Sequence, residues 1–202
     1  MDKLNTFLDL STIVSCSNID GKLKELAEIL MNEYCIINGQ HSYRPIEIEF
    51  YIYDKDKHPD EHVYRRDAKA GRVFFHKSGM DICFASSIEN GRFGGILIRA
   101  FEREDGICFG GPRICSYEVL NTASNICSIV PCKEKGSYRT VASKRIGITE
   151  WHDSKSNWKD KYYDKKYRFV RANQKSIVME FDGFNFRKTT FVKNKKTYKF
   201  EI

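Results

Sequence analysis

A single α+β domain, built on a central curved antiparallel sheet and flanked by a few helices, is the fold class this sequence predicts. Runs that alternate apolar and polar residues recur along the middle of the chain, one early segment has helical 3/4 spacing, and no linker, repeat or low-complexity tract divides residues 1–202. With 41% hydrophobic and 13% aromatic residues and only 4 Pro, the chain has the material for a core, which excludes a disordered or collagen-like polymer. No apolar run approaches the roughly 18 residues that span a bilayer. The opening residues Met1–Phe7 lack the basic start and apolar stretch of a signal peptide. A soluble cytoplasmic protein, monomeric and without metal or cofactor, is the expectation.

The elements follow in order. Residues 20–34 predict a helix, with Asp20 able to cap it and Leu23, Leu26, Ala27, Leu30 and Met31 on one face. Asn38-Gly39 marks a turn. Ile46–Tyr53 begins by alternating apolar and polar residues, as a half-buried strand does, and residues 54–60 form a polar loop stopped near Pro59. Residues 72–76 and 80–85 predict strands joined by the tight turn Lys77-Ser78-Gly79, followed by a strand over 95–101. Pro112 starts a short helix over 113–120. Residues 141–148 predict another strand, and the tail holds hairpin-like segments around 181–184 and 192–195.

Seven cysteines are present, at 16, 35, 83, 108, 115, 127 and 132. Their number is odd, no C-x-x-C occurs and several lie in apolar runs, so they read as reduced, mostly buried thiols, and their spacing does not suit a zinc site.

The net charge of +7 is uneven: −5 over residues 1–60, +3 over 61–140 and +9 over 141–202. In the last third Trp151, Trp158, Tyr162, Tyr163, Tyr167 and Phe169 are interleaved with Lys155, Lys159, Lys161, Lys165, Lys166 and Arg168. Cations neutralise phosphates and aromatics stack on bases, so nucleic acid or a nucleotide is one partner class; a solvated lysine-rich surface is the other reading.

Glu47 and Glu49 lie two apart on one strand, so they share a face, which Tyr51 and Tyr53 continue. That stripe is either a wet sheet surface or a carboxylate at the end of an aromatic pocket, placed as a general base for water. Arg99 closes a four-residue apolar run, where a guanidinium is rarely free: it either pairs structurally with a carboxylate or holds a water beside one. His62 either caps the loop after Pro59 or donates a hydrogen bond.

The order of these segments resembles the alkyladenine (3-methylpurine) DNA glycosylases. Leu26-Ala27-Glu28-Ile29-Leu30, Ile46-Glu47-Ile48-Glu49-Phe50-Tyr51, Pro59-Asp60-Glu61-His62, Val73–Met80, Leu97-Ile98-Arg99-Ala100-Phe101-Glu102, Gly111–Cys115, Arg145-Ile146-Gly147-Ile148 and Tyr167-Arg168-Phe169 carry the resemblance, over about residues 23–170. It implies an alkyladenine DNA glycosylase-like fold in which Glu49 activates water for attack on the glycosidic carbon, and Arg99 and the Ile146 carbonyl hold that water. A flipped base would stack between Tyr51 and Phe75, with His62 hydrogen-bonding it and Ala85 at the position that screens its edge. A cationic alkylated purine leaves readily, so an aromatic cage and a positioned water suffice.

The departures are informative. The family's duplex-wedging Tyr is Ser78 here, too small to fill the gap left by an extruded nucleotide. His76 or Lys77 would have to substitute, with Arg145, Lys166 and Arg168 as further nucleic-acid contacts. Three functions result: an N-glycosidase removing a modified purine from DNA, one acting on single-stranded nucleic acid or free nucleosides and nucleotides, or a non-catalytic binding domain.

Overall fold

Two long strands organise the computed structural model: β2 (His41–Asp54) and β5 (Arg92–Arg103) run antiparallel along their length. The structure describes residues 3–39, 41–121, 127–148, 152–153, 158–159, 161–172, 178–181, 186–188 and 197–199. Before β2 come α1 (Lys3–Phe7), α2 (Leu10–Val14), α3 (Ile19–Glu33) and β1 (Tyr34–Asn38). Between the long strands lies the hairpin β3 (Val73–His76) and β4 (Gly79–Cys83); β6 (Cys108–Gly110), α4 (Pro112–Asn121), β7 (Cys127–Pro131) and β8 (Arg139–Ser143) follow β5. The rest is β9 (His152–Asp153), β10 (Trp158–Lys159), β11 (Arg168–Ala172), β12 (Val178–Phe181), β13 (Phe186–Lys188) and β14 (Thr197–Lys199).

Apart from the small β9–β10 pair, the strands form one sheet, and the long strands change partners along their length. On its outer edge β2 pairs with β1 at one end and β11 at the other; β5 pairs with β4 and then β6. The sheet therefore curls into two lobes that share a spine. At the junction Pro45 opposes Phe101, Glu47 opposes Ala100 and Ile48 opposes Ile98. Ile46 and Arg99 are the residues left over, each in a β-bulge of the kind that bends a strand and re-aims a side chain.

Ile48, Phe50, Ile52, Ile96 and Ile98 turn to one face and are buried against Leu23, Leu26, Leu30 and Met31 of α3 and the residues of α1 and α2. α3 is as predicted in its core face, but Asn18 caps it, its side chain accepting from Gly21 N–H at 2.9 Å, so the helix starts one residue before Asp20. The β3–β4 turn needs Gly79: its φ is +148°, and a Cβ there would lie 2.7 Å from Cβ of Pro112, so the hairpin packs directly on the start of α4.

Two expectations change. Residues 144–148 leave β8 as a loop rather than continuing a strand. β14 pairs with β12; residues 192–195 of the second hairpin-like segment, the turn at 182–184, Trp151, Lys155 and Lys196 lie outside the described residues. The cysteines are not all thiols: Cys35 and Cys132 form a disulfide, with Cα atoms 5.2 Å apart. Antiparallel pairing of β1 with β7 sets Cys35 opposite Val130, and Cys132 N–H donates to the Glu33 carbonyl at 2.8 Å, a proximity invisible across 97 residues of sequence. Disulfides belong mainly to oxidising compartments, so the cysteines no longer support a cytoplasmic location. Reductant should lower stability by roughly 2–4 kcal/mol, read as a lower urea midpoint; an unchanged midpoint would show the cross-link to be energetically idle. Among the described residues, no helix is long and apolar enough to cross a membrane, and no group of three His, Cys, Asp or Glu is placed to hold a metal.

Candidate active site

On the sheet face opposite the helical core, one register row crosses six strands: Phe74, Asp81, Leu97, Glu49, Arg168 and Ser143 are successive partners. Directly opposed residues share a face. The row therefore brings charged groups from distant parts of the sequence onto the face that carries Glu47, Glu49 and Tyr51.

Glu49 is fully buried, at 0% exposure. Its Oε1 accepts from Ile146 N–H at 2.7 Å, and its Oε2 accepts from the Tyr51 hydroxyl at 3.0 Å and from Arg99 Nη1 at 3.3 Å. Arg99 Nη1 also donates to the Ile146 carbonyl at 3.4 Å, while its Nε donates to Glu47 Oε1 at 2.7 Å. A carboxylate has about four acceptor positions, and these contacts occupy three of them. Burial pushes the Glu49 carboxyl above its ordinary range; Arg99, the Ile146 N–H and the Tyr51 hydroxyl pull it down without cancelling that effect. Burial and the neighbouring Glu49 charge raise Tyr51 as well, leaving its hydroxyl a donor. For Arg99, burial would lower the guanidinium, but Glu49 and Glu47 outweigh it and hold it charged.

A cleft of about 490 Å³ opens over this cluster, within the rough 300–1,000 Å³ of small-molecule sites. Tyr51, Arg99 and Ile146 line it, and Glu49 sits one layer behind them. Leu97, His62, Tyr64, His76 and Asp81 line it too, and its edges come from the start of α4 and the loop of Gly147 and Ile148. The wet-surface alternative for the acidic stripe is thereby excluded for Glu47 and Glu49, which are both buried.

Several expected site residues stand elsewhere. Phe75 does not face Tyr51. Strand parity turns Phe75 and its partner Met80 toward the core and gives the cleft side to Phe74, His76 and Asp81. Ala85 is exposed and bridges Asp9 by its backbone, away from the cleft. Arg145 is not a surface cation: its guanidinium is buried against Asp60 at 2.7 Å and lies 4.8 Å from the centre of the Tyr51 ring. Arg168 is engaged by Glu47 Oε1 at 2.6 Å and Ser143 Oγ at 2.9 Å, so it braces the acidic stripe. Lys77 and Lys166 are exposed, whereas Ser78 lines the cleft and its Oγ lies 3.1 Å from the Tyr64 hydroxyl. His62 lines the cleft as well, its N–H donating to Asp60 Oδ1 at 3.1 Å.

The sequence reading passed over Tyr64, Arg66 and Asp81. Asp81 carried a signal, a lone charge inside Met80-Asp81-Ile82-Cys83-Phe84, where an unpaired carboxylate would be costly. Tyr64 carried none. Neither a protein-family model nor a curated protein matches this chain.

Proposed function

We propose that the chain is a DNA glycosylase-like N-glycosidase that hydrolyses the bond between a modified purine and its sugar. The observation that carries this is the convergence of Glu49, Arg99 and Ile146 beneath a cleft walled by Tyr51. Tyr51 offers its ring to the base, and Arg145 on that ring fixes its position. Glu49 takes a proton from a water held at its remaining acceptor position with Arg99 and the Ile146 carbonyl. The water oxygen attacks the anomeric carbon, the carbon–nitrogen bond breaks, and its electron pair departs with the base. A cationic alkylated purine leaves as a neutral molecule and needs no acid. The resemblance in segment order to the alkyladenine DNA glycosylases supports the same chemistry.

Ser78 favours a second reading, in which the substrate is single-stranded nucleic acid or a free nucleotide. Its small side chain, hydrogen-bonded with Tyr64 at the hairpin tip, has no bulk to hold a duplex open. Both readings are tested with duplex and single-stranded oligonucleotides carrying 3-methyladenine or hypoxanthine, and with the free nucleotides of those bases. Alkali-labile abasic sites should accumulate, and the faster strand form assigns the substrate. No abasic sites from any of the oligonucleotides, together with no base released from the free nucleotides, would leave only a binding role for the cleft.

A further inference from the structure

Asp81 lies in the row that contains Glu49, with only Leu97 between them. Two strand spacings separate their backbones, roughly 9.5 Å, a distance comparable with the long axis of a bicyclic base attached to its sugar. Asp81 is 2% exposed and lines the cleft. Arg66 grips one carboxylate oxygen at 2.5 Å, and Nε2 of His76 lies 3.1 Å from the other. Nδ1 of His76 accepts from Ser78 N–H at 3.3 Å, which leaves Nε2 as the protonated nitrogen facing Asp81. Gly95 is what admits this carboxylate: a Cβ there would stand 2.8 Å from Asp81 Oδ2. The proposed water chemistry uses none of this network.

We infer that Asp81 is the specificity-determining residue of the cleft and selects a purine that presents an exocyclic amine, a 6-aminopurine of adenine type, over its 6-oxo counterpart. The inference rests on the reading of the cleft as a nucleobase site. The base lies across Leu97 with its glycosidic end at Arg99 and Ile146 and its amino edge at Asp81. A carboxylate paired to a guanidinium presents lone pairs and no proton. An amine donates to it, whereas a carbonyl oxygen at the same position meets it lone pair to lone pair and leaves both desolvated acceptors unpaired.

The test is titration of the full chain with free adenine and free hypoxanthine, which differ at that edge. Adenine should bind roughly tenfold or more tightly, the scale of one well-made base-edge contact. In Asp81→Asn, whose amide both donates and accepts, the preference should fall to within about threefold. Should that variant fail to fold for want of Arg66's partner, the wild-type comparison decides alone. Binding of both bases within about threefold, tighter binding of hypoxanthine, or binding of neither overturns the inference. An adenine preference without base release from any oligonucleotide or free nucleotide overturns the glycosidase reading and leaves this one standing; release of hypoxanthine as fast as 3-methyladenine does the reverse.

Discussion

Glu49→Gln is expected to lower base release by ~10²–10⁴-fold, the range a positioned general base contributes, while free-base binding is retained. The amide keeps an acceptor for the Ile146 N–H and the volume of the side chain but cannot take a proton from water. Because burial holds the carboxyl above its ordinary range, release by the wild type should show an acid limb displaced upward from that of an exposed glutamate. The same shift makes a statement about stability. A group whose folded pKa is raised contributes stability in full below its unfolded pKa and loses it as pH rises through the folded value. Glu49→Gln removes that loss. The melting temperature of the variant relative to wild type should therefore climb as pH increases through the acid limb. If the difference stayed flat with pH, the buried carboxyl would not be titrating as described, and a variant with undiminished release would remove Glu49 from the chemistry.

Much of this site was legible because strand periodicity is legible. Spacing of two put Glu47, Glu49 and Tyr51 on one face, and Arg99 after four apolar residues announced a buried partner; both hold in the structure. The failures are failures of register and of distance. Phe75 and His76 differ by one position, and a one-residue choice reverses which of them meets the cleft. Nothing local in the chain distinguishes the two. Arg145 and Arg168 read from the sequence as nucleic-acid contacts in the basic last third; their partners, Asp60 and Glu47, lie 85 and 121 residues away. The disulfide was hidden for the same reason, since it depends on which strand adds to the β1 edge. Local pattern reports the face a residue takes, and only the tertiary arrangement reports what stands opposite it.

The largest expected cost to the fold lies in one of those hidden pairs. Asp60→Ala should destabilise the protein by about 3–5 kcal/mol, the cost of leaving one member of a buried ion pair without its partner. Both side chains are 0% exposed, and Asp60 Oδ2 receives Arg145 Nη1 at 2.7 Å. Arg145 Nη1 also donates to the Phe50 carbonyl at 3.4 Å and Nη2 to the Tyr162 carbonyl at 3.0 Å, its Nε makes no hydrogen bond, and the guanidinium lies against the rings of Tyr51 and Tyr167. Carbonyls and ring faces cannot neutralise a full charge in a buried site. Replacing both residues, Asp60→Asn with Arg145→Met, should cost less than the single change, because the orphaned charge goes with its partner. Function should follow a second course. Arg145 adjoins Ile146, and its guanidinium backs the Tyr51 ring, so the pair holds both the backbone that the proposed mechanism assigns to the water and the ring it assigns to the base. Asp60→Ala, assayed where it is still folded, should weaken base binding, while Asp56→Ala, an exposed change of the same sign in the same loop, should not. Urea unfolding of the three variants decides the first point. A loss below about 1 kcal/mol for Asp60→Ala would place the pair among ordinary surface bridges and remove it from the account of Tyr51.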